Sequence, residues 1–253
     1  MGLLEYAILL AVAFVAGAIN AVAGGGSLIS FPTLLAVGFA SKTANVTNTV
    51  ALWPGTVGGS VAYRSELVRQ RRRLLILLGP AVSGAALGSL ILLLTPGAAF
   101  DRIVPFLIFF ACGIMAFQEQ LSALAQHHRL GSRDADHVPL PLLGVTFIGA
   151  IYGAYFGAGL GIIMLAFLSI LLPDDIQHSN ALKGMLAMII NAIGVLAFAL
   201  FGPVRWSVAI VMAVGAVAGG YLGVGIARRL GRRWLRWAVI AYGFTAAVIL
   251  LLK

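Results

Sequence analysis

Acidic residues are scarce in this chain: 8 Asp and Glu stand against 17 Lys and Arg in 253 residues. Glu5, Asp101 and Glu119 fall near the ends of apolar stretches, so a proton relay through buried acids has no visible residues. Charge of either sign is thin, at 10% of residues, where a soluble domain carries roughly a quarter. Cys112 is the single cysteine, which excludes an intrachain disulfide and any cysteine-based metal cluster. It sits in an apolar segment as a packing residue. The four histidines (His127, His128, His137, His178) lie in or beside loops at spacings that match no metal motif, so no metal site is expected. There is no HExxH, no glycine-rich nucleotide loop and no Ser/His/Asp set within the apolar runs. Ser27 follows three glycines, but no deep histidine is available to activate it. These absences argue against an enzyme and against any cofactor. They also leave an ion gradient, the membrane potential or the substrate gradient as the only energy sources.

What the chain has is apolar length. Hydrophobic residues make up 61% of it, with a mean hydropathy of +1.03. Apolar stretches run over residues 3–39, 43–63, 74–95, 103–125, 139–172, 180–201, 204–227 and 234–252. Since about 20 residues of helix cross a bilayer core, this reads as an all-α polytopic membrane protein with the lipid bilayer as solvent. The net charge of +9 would suit nucleic acid, but the basic residues cluster between apolar runs, where positive charge reports topology. No nucleic-acid partner is expected. The N-terminal MGLLEY carries Glu5 where a signal peptide needs positive charge, so this segment is expected in the mature protein.

A stretch of the first half returns in the second. Residues 80–91 (PAVSGAALGSLI) and 215–226 (GAVAGGYLGVGI) agree at six of twelve positions, 135 residues apart. The same offset pairs Asn45 with Asn180 and Gly26 with Gly161. Duplicated units facing both ways commonly surround a midplane site in alternating-access transporters. Two of the eight stretches are too long for one crossing and too short for two. Each holds a glycine cluster that breaks the helix: Gly24, Gly25 and Gly26 in the first, Gly157, Gly159 and Gly161 in the fifth. Pro32 follows the first break.

Charge sets how these long stretches fold. Residues 64–73 (RSELVRQRRR), 127–137 (HHRLGSRDADH) and 228–236 (RRLGRRWLR) hold 12 of the 17 Lys and Arg, and all three should be cytoplasmic. Three simple crossings between the second and third loops would put the third outside. The conflict disappears if 139–172 enters and returns as a hairpin, and 3–39 does the same. Each half then has five helical segments, the second half is inverted, and both termini face outward. The expected division is a first membrane repeat over 1–126, a cytoplasmic linker over 127–138 and a second repeat over 139–253.

Backbone that leaves the helix at membrane depth must be buried in protein or line a wet cavity. The breaks are therefore the first candidate substrate site: Gly24, Gly25, Gly26 and Ser27 in one half, Gly159 and Gly161 in the other. New helices should begin near Ser27 and Leu160, and helix N-termini favour an anion. The second candidate is the polar start of the following helices. Asn45, Asn48 and Thr49 share a face by helical spacing, and Asn180 and Lys183 take the matching face in the second half. Lys183 stands out as a cation within a span that has no obvious acidic partner, and its alternative reading is snorkelling toward the interface. Trp53, Tyr152 and Asn191 are candidate gate residues, with packing as the alternative for each.

At these residues the chain resembles the TauE/SafE family of sulfite and organosulfonate exporters. The matching pieces are AGAINAVAGGGSLISFP (16–32), KTANVTNTVAL (42–52) and FGPVRWSVAIVMAVGAVAGGYLGVGIARRL (201–230). The last is the most specific, joining a Gly-x-x-x-Trp lead-in to the glycine-spaced helix and its terminal arginines. The resemblance covers essentially the whole chain. It implies a plasma-membrane protein, bacterial or archaeal for the most part, that moves small sulfur-containing anions. The second break, GAYFGAGLGII, departs from a run of adjacent glycines, and Pro173 comes later than Pro32 does, so the two half-sites need not be alike. The competing reading is a non-transporting membrane scaffold or assembly component. Oligomeric state is left open, a homo-oligomer included.

Overall fold

The computed structural model describes residues 2–22, 25–62, 67–68, 70–120, 138–172, 176–230 and 232–252, and regular structure among them is helical throughout. The main helices are α1 (Leu3–Val22), α2 (Ser27–Ala36), α3 (Ser41–Ala62), α4 (Arg71–Leu94), α5 (Gly97–Ala116), α6 (Leu140–Tyr155), α7 (Leu160–Leu171), α8 (Ile176–Phe201), α9 (Trp206–Leu230) and α10 (Arg232–Leu251). Five of them, α1, α4, α5, α8 and α10, are long and apolar enough to cross a membrane. The chain is a multi-pass, all-α membrane protein. The short helices explain the two overlong stretches. α2 has 10 residues and α7 has 12. At 1.5 Å per residue they reach only about half of a 30 Å core. Each therefore pairs with the preceding helix as a hairpin that stops part-way.

Proline does not end these elements. Pro32 lies inside α2, and Pro54, Pro80 and Pro105 lie inside α3, α4 and α5. Packed membrane helices tolerate the missing N–H because neighbouring groups satisfy the freed carbonyl.

Glycine sets the direction of packing. A Cβ on Gly215 or Gly219 would overlap the backbone carbonyl of Leu10 or Phe14, so α9 lies directly on α1. A Cβ on Gly84 or Gly88 would overlap the carbonyl of Phe147 or Ile151, so α4 lies directly on α6. In both pairs the contacts advance one turn in the same direction, so the partners run parallel. Lipid tails are as apolar as leucine, so this close van der Waals approach, rather than a hydrophobic driving force, holds the pairs. The same contact is made twice, once by each half. The other large interfaces, α3 on α9, α4 on α8, α5 on α10 and α3 on α8, likewise map onto one another when the halves are exchanged.

Side-chain contacts fix the two ends of the bundle. At one end Gln70 donates to the His178 carbonyl (3.0 Å), and Arg236 pairs with Glu119 (2.8 Å). That end, the basic end, carries Arg71–Arg73, the end of α9 and the start of α10. At the other, the Lys42 Nζ donates to the carbonyls of Leu93 (2.7 Å) and Thr95 (2.8 Å), and Tyr6 pairs with Ser207 (3.2 Å). The α1–α2 hairpin enters from this Lys42 end and the α6–α7 hairpin from the basic end. Residues 127–137 lie outside the described residues.

Candidate functional site

The hairpin tips meet at the middle of α3 and α8. Between them is a cavity of about 130 Å³, lined by Asn20, Gly25 and Ser27 from the first tip and by Phe156, Gly157, Gly159, Leu160 and Gly161 from the second. α3 contributes Thr49, Leu52, Trp53 and Thr56, and α8 contributes Ala187 and Asn191. Leu52 and Ala187 are 135 residues apart, as are Thr56 and Asn191, so equivalent positions of the two halves face each other across the space. The volume suits several waters or one small anion.

Each glycine here has its own reason. Gly25, Gly157 and Gly159 adopt φ of +88°, +80° and +79°, a backbone that glycine reaches without a steric penalty. Gly26 is helical, but a Cβ there would overlap the Ala16 carbonyl where α2 folds back on α1. Gly161 has room for a Cβ, which would meet the Lys183 stem at an ordinary contact distance of 3.8 Å. Asn20, in the last turn of α1, accepts the Gly26 N–H at 2.7 Å and so caps α2 from across the break. Leu28 donates to the Gly25 carbonyl, while Ile29 and Ser30 donate to that of Gly26. In the second tip Leu160 donates to the Gly157 carbonyl, while Ile162 and Ile163 donate to that of Gly159. Among the described residues, the N–H of Gly161 has no backbone acceptor, and Ser27 and Gly161 both line the cavity. The cavity thus lies at the N-termini of two helices, with the Gly161 amide and several neutral polar side chains facing it, and no charged side chain lines it.

The structure places the expected site residues in three groups. Gly25, Ser27, Thr49, Gly159 and Gly161, with Trp53 and Asn191, line the cavity. Gly24 lies outside the described residues. Gly26, Asn45, Asn48, Asn180, Lys183 and Tyr152 do not line it. The reason is depth: the cavity sits one to two turns further along α3 and α8 than the polar starts. Asn45 instead donates to the Tyr155 carbonyl (2.9 Å), and Asn48 is buried with an unpartnered Oδ1. Lys183 is not isolated, since its Nζ donates to Asn180 Oδ1 at 3.1 Å. Tyr152 braces the second break by donating to the Ala158 carbonyl, with Phe110 edge-on at 5.5 Å. The pairing of Gly26 with Gly161 also needs correction. The short helices begin at Ser27 and Leu160, 133 apart, so Gly26 corresponds to Gly159, and the offset returns to 135 only because α7 is two residues longer.

Sequence reasoning missed Asn20, Leu52, Thr56, Phe156, Gly157, Leu160 and Ala187 as lining residues. Thr56 and Asn191 carried a usable signal, being polar, mid-helix and 135 apart.

The comparisons with known proteins point to a membrane transporter. The family model described as "Sulfite exporter TauE/SafE" matches residues 9–250. A "Probable membrane transporter protein" of Haemophilus influenzae is 30% identical, covering 94% of this chain and 91% of the relative. The "Probable membrane transporter protein ORF9" of a Sinorhizobium species is 28% identical over 97% of this chain and 92% of the relative. "Probable membrane transporter protein YfcA" of Escherichia coli K12 is 24% identical over 92% and 84%. No solved structure matches. With the family model spanning nearly its whole length, this chain belongs to the sulfite exporter TauE/SafE family of membrane transporters.

Proposed function

We propose that this transporter moves a small sulfur-containing anion, sulfite or an organosulfonate, across the plasma membrane by alternating access. The two repeats, 1–126 and 139–253, joined by the cytoplasmic linker 127–138, would carry the site between them, with the basic loops cytoplasmic and both termini outside. The observation that carries the reading is the cavity where equivalent residues of both halves meet beneath two helix N-termini. An anion there would accept from the Gly161 amide and the Ser27 hydroxyl, and from Thr49 and Thr56 once their hydroxyls turn from the Asn45 and Trp53 carbonyls, with Gly25 and Gly159 letting the backbone approach and Gly24 and Gly26 belonging to the break. Its charge would be met by oriented dipoles at the site, with Lys183, Asn180, Asn45 and Asn48 acting along the approach rather than at the site itself. Trp53, Asn191 and Tyr152 would shape the cavity and its breaks.

A thermal-shift panel of sulfite, sulfate, thiosulfate, sulfoacetate, taurine and simple carboxylates tests this. A ligand at 100 times its Kd stabilises the folded state by about 2.7 kcal/mol. A shift confined to sulfur oxyanions or sulfonates supports the reading. A panel with no shift, matched by no uptake or efflux in proteoliposomes, would leave a membrane scaffold as the better account.

A further inference from the structure

Among the described residues the two hairpin tips are held differently, although the halves share one plan. Asn45 Nδ2 donates to the carbonyl of Tyr155, the last residue of α6, at 2.9 Å. The equivalent bond would run from Asn180 to the carbonyl of Val22, the last residue of α1. Among the described residues it is not made, and the Asn180 amide oxygen instead receives the Lys183 ammonium. Aromatic contacts follow the same bias. Phe156 lies edge-on to Phe31 at 5.5 Å, and Tyr155 edge-on to Phe100 at 5.7 Å. The equivalent positions in the other half are Ala23, Met164, Val22 and Leu235, none of them aromatic.

Burial reports the consequence. From Ala44 to Asn48 every residue of α3 is buried, with Asn45 at 2% and Asn48 at 3% exposure. Their equivalents Asn180 and Lys183 are half-buried, and Ala187 is half-buried where its equivalent Leu52 is buried. Asn180, Lys183, Ala187 and Asn191 share one face of α8, leading from the basic end to the cavity that the last two line. The α5–α10 pair completes the pattern, since it packs on α2 and α3 far more than on α7 and α8.

We infer that the unliganded protein rests closed at its Lys42 end and open toward its basic end, held by a latch in which Asn45 grips the tip of the α6–α7 hairpin against Phe31 and Phe100. Turnover exchanges this latch for the mirror bond from Asn180 to the Val22 carbonyl, which closes the basic end. The inference rests on the transporter reading but not on any substrate.

Site-directed labelling in right-side-out and inverted vesicles tests it, using full-length protein with Cys112→Ala and no added anion. The reporters are Ala187→Cys and Asn48→Cys, probed with a membrane-impermeant maleimide. Ala187→Cys should react from the basic-end face, and Asn48→Cys should be protected from the opposite face. Adding Asn45→Ala should raise Asn48→Cys labelling about fivefold, the population shift expected from losing one ordinary hydrogen bond. Adding Asn180→Ala should lower it, because only the alternate state would use that amide. Opposite signs from equivalent residues are something a purely structural role does not produce. If Asn45→Ala fails to fold, Phe31→Leu with Phe100→Leu should give the same increase. Asn48→Cys labelled freely in the parent, or moved in the same direction by both asparagine substitutions, would overturn the latch. A failed ligand panel would instead count against the transporter reading and leave these labelling results standing.

Discussion

The indole N–H of Trp53 donates to the carbonyl of Met188 at 3.1 Å, and these two residues occupy the same position in the two halves of the chain, 135 residues apart. A bond between equivalent positions lies near the axis that exchanges the halves. α3 and α8 therefore cross beside the cavity that Trp53 lines, and one donor joins the halves there.

Trp53→Phe tests that bond. Phenylalanine removes the donor along with the bond, so no buried N–H is left unsatisfied, and the stability loss should stay near 1 kcal/mol. A fall in melting temperature of about 2–4 °C is expected. Transport should fall much further, because the crossing sets the cavity's shape. Loss of both in proportion would reduce Trp53 to a packing residue.

The close helix pairs predict a sharp contrast among glycines. Gly219→Ala and Gly88→Ala each drive a methyl into a backbone carbonyl, of Phe14 and Ile151 respectively. Each should cost about 1–3 kcal/mol of stability, as overpacking does. Gly113→Ala has nothing within 4 Å of the new methyl and should be neutral or gain about 0.5–1 kcal/mol. Thermal unfolding in one detergent would compare all three.

At the cavity, Thr56→Val combined with Asn191→Leu removes a pair of equivalent polar groups while keeping most of the side-chain volume. The fold should persist, since both residues are only half-buried. The anion-dependent rise in melting temperature should disappear. A full rise in the double variant would move the binding site elsewhere.

Lys183→Gln should keep the fold, because a neutral amide can still reach Asn180 and no charge remains to be desolvated. Transport should fall steeply if the ammonium attracts the anion on its approach. Lys183→Arg should also be impaired, since a planar fork replaces a compact ammonium whose stem packs against Gly161. Normal transport by Lys183→Gln would make Lys183 a snorkelling bystander.

For orientation, cysteines placed within 64–73, 127–137 and 228–236 should all resist impermeant labels from outside intact cells. Labelling at the third loop alone would contradict the five-plus-five arrangement in the membrane.

Most of the fold was legible because membrane proteins write their elements in plain terms. Apolar length gave the spans, the loop arginines fixed which ends belong together, and the glycine clusters marked the two breaks. The breaks at Ser27 and Leu160 were readable because a helix cannot continue through residues that need positive φ. The lining of the candidate cavity was legible only in part. Ser27, Thr49 and Gly161 line the cavity, but Asn45 and Lys183, the most conspicuous polar residues, do not. Polarity in the sequence shows that a group needs a partner, without showing whether that partner is a ligand or a neighbouring carbonyl. For Asn45 it is the carbonyl of Tyr155, 110 residues away.

By itself, then, the sequence determined a helical membrane protein built twice, with two broken helices and one strongly basic end. Those properties follow from hydropathy, charge and local backbone chemistry, which act along the chain. The tertiary structure alone decided the depth of the cavity, the pairing of Gly26 with Gly159 and the bond by which Asn45 holds the α6–α7 tip. The pairing follows from the two added residues in α7, and the hold on the α6–α7 tip from which carbonyl a distant side chain meets. Repetition of sequence fixes that the halves are alike, while packing fixes where one conformation makes them differ.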